Sequence, residues 1–140
     1  MYLSVNNQER ENNMRCIMEE GTYYIGDMYC MITDDWSEVC QRIFPSTAMV
    51  EGKSTLKSGV TLCIFGTARG DGTYDDTSGN SYNVDSGTIG CISIGYLPGP
   101  EIDVRLGHVV TFNAPFECYR SEGWLVFGNV KIDTDPADDR

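Results

Sequence analysis

Histidine, proline and basic residues are the scarce components of this chain. His108 is the only histidine in 140 residues, so any Cys-His or Ser-His catalytic pair would have to use it. The serine and cysteine candidates, Ser86 and Cys91, stand in neither a G-x-S-x-G elbow nor a papain-like or caspase-like context. We therefore expect no catalytic residue, and read His108 as a half-buried strand residue beside Gly107. Lys and Arg number 10 against 21 Asp and Glu, a net charge of -11. The ten bases form no run, which excludes the clustered cations that nucleic-acid binding requires. An acidic surface steers association with basic partners instead. Five prolines against 15 glycines, with 41% hydrophobic residues, is the balance of a globular chain rather than a collagen-like or disordered one. No segment approaches the roughly 20 apolar residues of a membrane helix. The start lacks the basic and apolar regions of a secretion signal, so the expected location is the cytoplasm, with no membrane partner.

The six cysteines, Cys16, Cys30, Cys40, Cys63, Cys91 and Cys118, contain no C-x-x-C pair. That spacing offers no zinc or thioredoxin-type site, and in a reducing compartment such residues act as small buried hydrophobes, so six free thiols are expected. No cofactor is expected.

Domain organisation follows from polarity. Residues 1–20 read as a mobile N-terminal segment, 21–132 as a single β domain and 133–140 as an acidic mobile tail with four aspartates. Met1, Met14 and Met18 are all candidate starts. One helix is expected from about Trp36 to Phe44: Asp35 caps it, Glu38 completes a capping box, and Trp36, Val39, Cys40 and Ile43 form a narrow apolar stripe. Such a stripe lies on a sheet, with Trp36 as anchor. Around it, about eight short strands are punctuated by glycine turns. Hairpins are expected across Lys57-Ser58-Gly59, between Tyr74 and Tyr82, and between Phe116–Tyr119 and Trp124–Phe127. The fold class is mainly β, a small antiparallel barrel or strongly bent sheet with one short helix.

The densest constellation runs Gly70-Asp71-Gly72-x-Tyr74-x-Asp76, then Gly79, Tyr82 and Val84-Asp85-Ser86-Gly87-x-Ile89-Gly90, with Tyr24-Ile25-Gly26-Asp27 and Asp35-Trp36 upstream. This pattern resembles a family of small uncharacterised β proteins of bacteria and their phages, over about Tyr24 to Leu97. Met28 stands where that family often has proline. The resemblance implies a shared fold and an accessory or regulatory protein of the cell cytoplasm, that of the host if phage-encoded, and carries no activity.

The same segment has its own physical logic. Its glycines supply backbone freedom at bends, and Asp71, Asp75, Asp76 and Asp85 bring four carboxylates together in sequence. Two readings compete. The aspartates act as turn formers that accept backbone hydrogen bonds, or they hold a hard cation, although the order of an EF-hand loop is missing. Arg69 in the glycine-rich bend is expected to bridge internally to Asp71 or Asp85, with a ligand phosphate or carboxylate as its other use. Carboxylate pairs for glycoside chemistry can be drawn among Asp27, Asp85 and Glu117. Tyr23, Tyr24, Tyr74, Tyr82, Tyr96 and Tyr119, with Trp124, can form an aromatic contact patch once the inward-facing half is subtracted. The functional expectation is a non-enzymatic acidic β binding module that docks a basic protein surface or a small ligand, with Arg69, Asp71, Tyr74, Asp85 and His108 as contact residues. The alternative is a small metal-dependent hydrolase built on Asp71, Asp75, Asp76 and Asp85.

Overall fold

Two kinds of strand can be told apart by how their side chains alternate. The runs Leu62-Cys63-Ile64-Phe65 and Ile89-Gly90-Cys91-Ile92 are buried without a break, whereas Ser81-Tyr82-Asn83-Val84 alternates strictly between exposed and buried. Continuous burial needs cover on both faces of a sheet; alternation needs it on one. The computed structural model, which describes residues 15–28, 36–43, 51–57, 59–96 and 107–136, contains one sheet of each kind.

In chain order the elements are β1 (Cys16–Met18), β2 (Gly21–Gly26), α1 (Trp36–Ile43), β3 (Gly52–Thr55), β4 (Thr61–Gly66), β5 (Gly72–Asp76), β6 (Ser81–Val84), β7 (Thr88–Ser93), a 3-10 turn (Ile94–Tyr96), β8 (Gly107–Phe112), β9 (Phe116–Ser121), β10 (Trp124–Phe127) and β11 (Val130–Asp133). They pair antiparallel into a six-stranded sheet, β1-β9-β10-β11-β5-β6, and a five-stranded sheet, β3-β4-β7-β2-β8. The fold is thus mainly β with one short helix, and its described strands form two sheets rather than one closed barrel.

Between the sheets lies the main core, to which both contribute aromatic rings. Tyr23 meets Phe116 edge-on at 5.0 Å and Phe65 meets Phe127 at 5.9 Å, while Phe112 stacks on Phe116 at 3.7 Å across the β8–β9 corner. A second apolar layer covers the outer face of the five-stranded sheet. There Val39 of α1 packs with Tyr24, Met28, Leu56, Leu62, Ile64 and Ile92. The helix lies on the sheet as its stripe requires; the side chain of Trp36 and the capping Asp35 fall outside the described residues. The outer face of the six-stranded sheet has no described layer over it, which is why its strands alternate.

The ordered fold is wider than residues 21–132. Cys16–Met18 pairs with Phe116–Cys118 as an edge strand, and after β11 the chain stays attached through Thr134, which is buried, donates its amide to Gly123 at 2.8 Å and accepts from the Ala68 amide at 3.0 Å. The first two expected hairpins are β3–β4, closed by Gly59 at φ 94°, and β5–β6, closed by Gly79 at φ 90°. The third, β9–β10, turns at Glu122, the one described non-glycine residue with positive φ, 57°. The strand expected over Ile102–Leu106 lies outside the described residues. Among the described residues no helix is long and apolar enough to cross a membrane.

Candidate functional site

The aspartate-rich segment folds as a self-contained turn. Asp76, at the end of β5, accepts the amides of Ser78 (2.8 Å) and Asn80 (2.9 Å) on Oδ1, and the Tyr82 hydroxyl (2.7 Å) and Asn80 amide group (3.2 Å) on Oδ2. Asp75 points to the other side and accepts from Ser81 Oγ at 2.6 Å. Asp71 and Asp85 are exposed. Among the described residues no group of three or more His, Cys, Asp or Glu side chains is arranged to hold a metal ion.

Burial pushes the Asp76 carboxyl up, but the Tyr82 hydroxyl and the Asn80 and Ser78 donors outweigh it and hold the group below its ordinary value. The buried Tyr82 phenol is pushed well above its usual range by burial and by its bond to that carboxylate. A depressed carboxyl contributes stability that is fully present above its unfolded value, about pH 4, and is lost as pH falls through the folded value. Asp76→Asn is therefore expected to lower the denaturation midpoint clearly at pH 7 and by less at pH 3, as read from urea titrations at both. An equal loss at the two pH values would show that the charge is not what the turn uses.

The other expected contact residues are also engaged, each with partners of its own. Arg69 donates Nε to Asp135 Oδ1 at 2.9 Å and Nη2 to the Pro136 carbonyl at 2.8 Å, so its internal bridge runs to the segment after β11 rather than to Asp71 or Asp85. Tyr74 is buried, with its hydroxyl on the Gly70 carbonyl at 2.8 Å. His108 donates Nε2 to the Ser81 carbonyl at 3.0 Å and sits edge-on against Tyr82. Asp85 gives its amide to Asp27 Oδ2 at 2.6 Å. Asp27, fully buried at the end of β2, also accepts the Ser86 amide and hydroxyl, and thereby pins the β6–β7 loop. Of the carboxylates drawn as glycosidase pairs, Asp27 and Asp85 are neighbours, but Asp27 is occupied by the loop it holds, and Glu117 lies apart on the outer face of the six-stranded sheet, ion-paired with Arg15 at 3.0 Å.

That outer face gathers aromatic and charged side chains. Register puts Tyr119, Val126 and Lys131 in one row and Ser121, Trp124, Asp133 and Asp75 in the next, all on the side away from the core. Of the tyrosines named as patch candidates, Tyr23, Tyr24, Tyr74 and Tyr82 are buried, and Tyr96 is outside the described side chains. Tyr119 is half-buried and Trp124 is 38% exposed. Together with Arg15, Thr77, Ser121, Val126 and Lys131 they line a shallow depression of about 420 Å³. Arg15 lies flat on this face, its guanidinium 4.1 Å from the Tyr119 ring centroid and bonded to Glu117.

Sequence reading found the two aromatics but not the partners that register supplies. Arg15 and Glu117 are 102 positions apart, and no local pattern announces them. Comparison with family models, with curated proteins and with solved structures yields no match.

Proposed function

We propose that the chain is a non-enzymatic acidic binding module that docks a basic partner protein on the outer face of its six-stranded sheet. The observation that carries this reading is Arg15. The chain's own guanidinium occupies the face by stacking on Tyr119 and pairing with Glu117, and an arginine or lysine of a partner would find the same chemistry one row over. There Trp124 offers an exposed ring and Asp75, two strands away in register, an exposed carboxylate that accepts one hydrogen bond from Ser81; Asp133 between them is buried and adds its charge from beneath the surface. A cation over an aromatic ring contributes about 0.5–1 kcal/mol at an exposed site. The net charge of -11 adds long-range attraction that raises the on-rate. With the resemblance of about Tyr24 to Leu97 to small bacterial and phage proteins, the reading extends to an accessory protein of the cytoplasm. A metal-dependent hydrolase fits less well, because Asp75 and Asp76 already accept hydrogen bonds within their own hairpin.

An arginine-rich peptide titrated against the protein tests this. Affinity should fall with added salt, and Trp124→Ala should weaken binding by about two- to fivefold. Asp75→Asn should weaken it more than Asp85→Asn, which removes the same charge elsewhere. If the two aspartate variants behave alike and Trp124→Ala changes nothing, only diffuse charge is at work and the face is not the site.

A further inference from the structure

Four of the cysteines meet at one place in the core. Cys16 of β1 faces Cys118 of β9 in register, and Cys63 of β4 faces Cys91 of β7. The first pair belongs to the six-stranded sheet and the second to the five-stranded one, and they point at each other across the sandwich. Cys16 Sγ is 3.2 Å from Cys63 Sγ, and Cys91 Sγ is 3.8 Å from Cys118 Sγ. All four are free thiols in this structure. Filling a core with small apolar volume needs no such meeting of sulfurs.

We propose that Cys16 and Cys63 are a peroxide-oxidisable dithiol whose disulfide staples the two sheets together. Geometry separates this pair from its neighbours. Cys16 lies on a three-residue edge strand and is 6% exposed, whereas Cys63, Cys91 and Cys118 are fully buried. Lys53, beside Cys63 in the β3–β4 ladder, ties down β1 by donating Nζ to the Ile17 carbonyl at 3.2 Å, and with Met18 it lines an open recess of about 300 Å³. Of the four cysteines, Cys16 is thus the one that solvent reaches. Closing 3.2 Å to the roughly 2.05 Å of a disulfide is a short travel for two unbonded sulfurs already in contact.

Two of the four thiols are held down: Cys118, lowered to about 5 by hydrogen bonds from Cys63 and Cys91 but fully buried, and Cys16, the only one of the four that solvent reaches. A hydrogen bond from the Cys63 thiol lowers Cys16 against the opposing effect of burial, and the Lys53 amide and ammonium help. Cys63 is pushed far up by its hydrogen bonds to Cys118 and Cys16 and by burial, so it keeps its proton. Thiolate character and access together select the reactive cysteine. In the first step the Cys16 thiolate attacks one oxygen of a hydroperoxide. An S–O bond forms, the O–O bond breaks, and the leaving alkoxide or hydroxide takes up a proton, which leaves Cys16 as a sulfenic acid. In the second, the Cys63 sulfur attacks the Cys16 sulfur. The S–S bond forms, the S–O bond breaks, and the hydroxide leaves with the Cys63 proton as water. Two thiols are oxidised by two electrons, and one peroxide is reduced.

The test is stoichiometric hydrogen peroxide followed by alkylation in denaturant and peptide mapping of the wild-type protein. The expected result is the loss of two alkylatable thiols, recovered as one Cys16–Cys63 linked peptide, with Cys40 still alkylatable. The denaturation midpoint of the oxidised protein should rise by on the order of 10 °C, because the bridge closes a long loop. In Cys63→Ser, Cys16 should stop at the sulfenic acid and be trapped by dimedone; in Cys16→Ser, no intramolecular bridge should form. Retention of both thiols in the wild-type protein, a link between other cysteines, or oxidation confined to Cys40 would overturn the proposal. The mapping decides this even if a serine variant fails to fold.

Discussion

Replacing Glu51 with alanine should cost the fold about 3–5 kcal/mol, the loss expected when one partner of a buried ion pair is removed and the other charge is left behind. Glu51 precedes β3, and its side chain is only 8% exposed. It accepts Arg120 Nε at 2.9 Å, a second bond from Arg120 Nη2, and the Gly66 amide at 2.8 Å. Arg120 comes from β9 of the six-stranded sheet and also donates to the Gly66 carbonyl at 2.6 Å. One guanidinium and one carboxylate thus join the end of β4 to the opposite sheet. In Glu51→Ala the Arg120 charge, 26% exposed, has no counter-ion and the Gly66 N–H has no acceptor. Glu51→Gln keeps an acceptor for Gly66 and should lose less. The double replacement of Glu51 and Arg120 by apolar residues should lose less than the sum of the single losses. Urea midpoints at constant slope measure all three. A loss below about 1 kcal/mol for Glu51→Ala would mean that water takes over the carboxylate's role, as it does for exposed pairs.

That pair marks the boundary of what the sequence discloses. Local chemistry was legible: Gly59 and Gly79 close their hairpins in the left-handed region as their turn positions demand, and a helix is described over Trp36–Ile43, the span of the apolar stripe. Continuous and alternating apolar runs also mirror the covered and open sheet faces. Long-range pairing was not legible. Nothing within Cys16–Met18 marks it as a partner for residues a hundred positions later, and Val130–Asp133 is too short to stand out from its turn. The same limit hid the sulfur cluster, since spacing along the chain suggests ligand sets only when both ligands share a loop, whereas here cross-strand register supplies the proximity. The aspartate-rich loop misled in the opposite direction. Its composition suits a cation site, yet Asp76 spends its oxygens on Ser78, Asn80 and Tyr82.

Gly90→Ala should be among the most damaging single methyl groups that can be added to this core, with Gly107→Ala its nearest rival, at about 3 kcal/mol or more, the upper range for overpacking. In sequence Gly90 looks like Gly87 or Gly79, one more glycine in a bend-rich stretch. In the structure it lies within β7, paired with Gly26 on one side and Ile64 on the other, and it needs no positive φ. What it provides is space. A Cβ there would overlap the Cys63 carbonyl oxygen and come within 2.9 Å of Met28 Cγ and 3.2 Å of Ile64 Cα. Met28 can swing aside, but the two backbone atoms belong to the β4–β7 ladder and can yield only if the central strands separate. Gly79→Ala makes the opposite change: its φ of 90° is strained for alanine, but nothing lies within 4 Å. Its cost should stay near the ~1–2 kcal/mol of a single left-handed residue. Denaturant midpoints for the two variants should differ accordingly, and amide exchange in Gly90→Ala should accelerate along Leu62–Phe65 before the β5–β6 hairpin loosens. Equal losses would mean that the β4–β7 ladder accommodates the methyl group by a rigid shift of the sheet, and that the close approach at Gly90 is not what sets the spacing of the central strands.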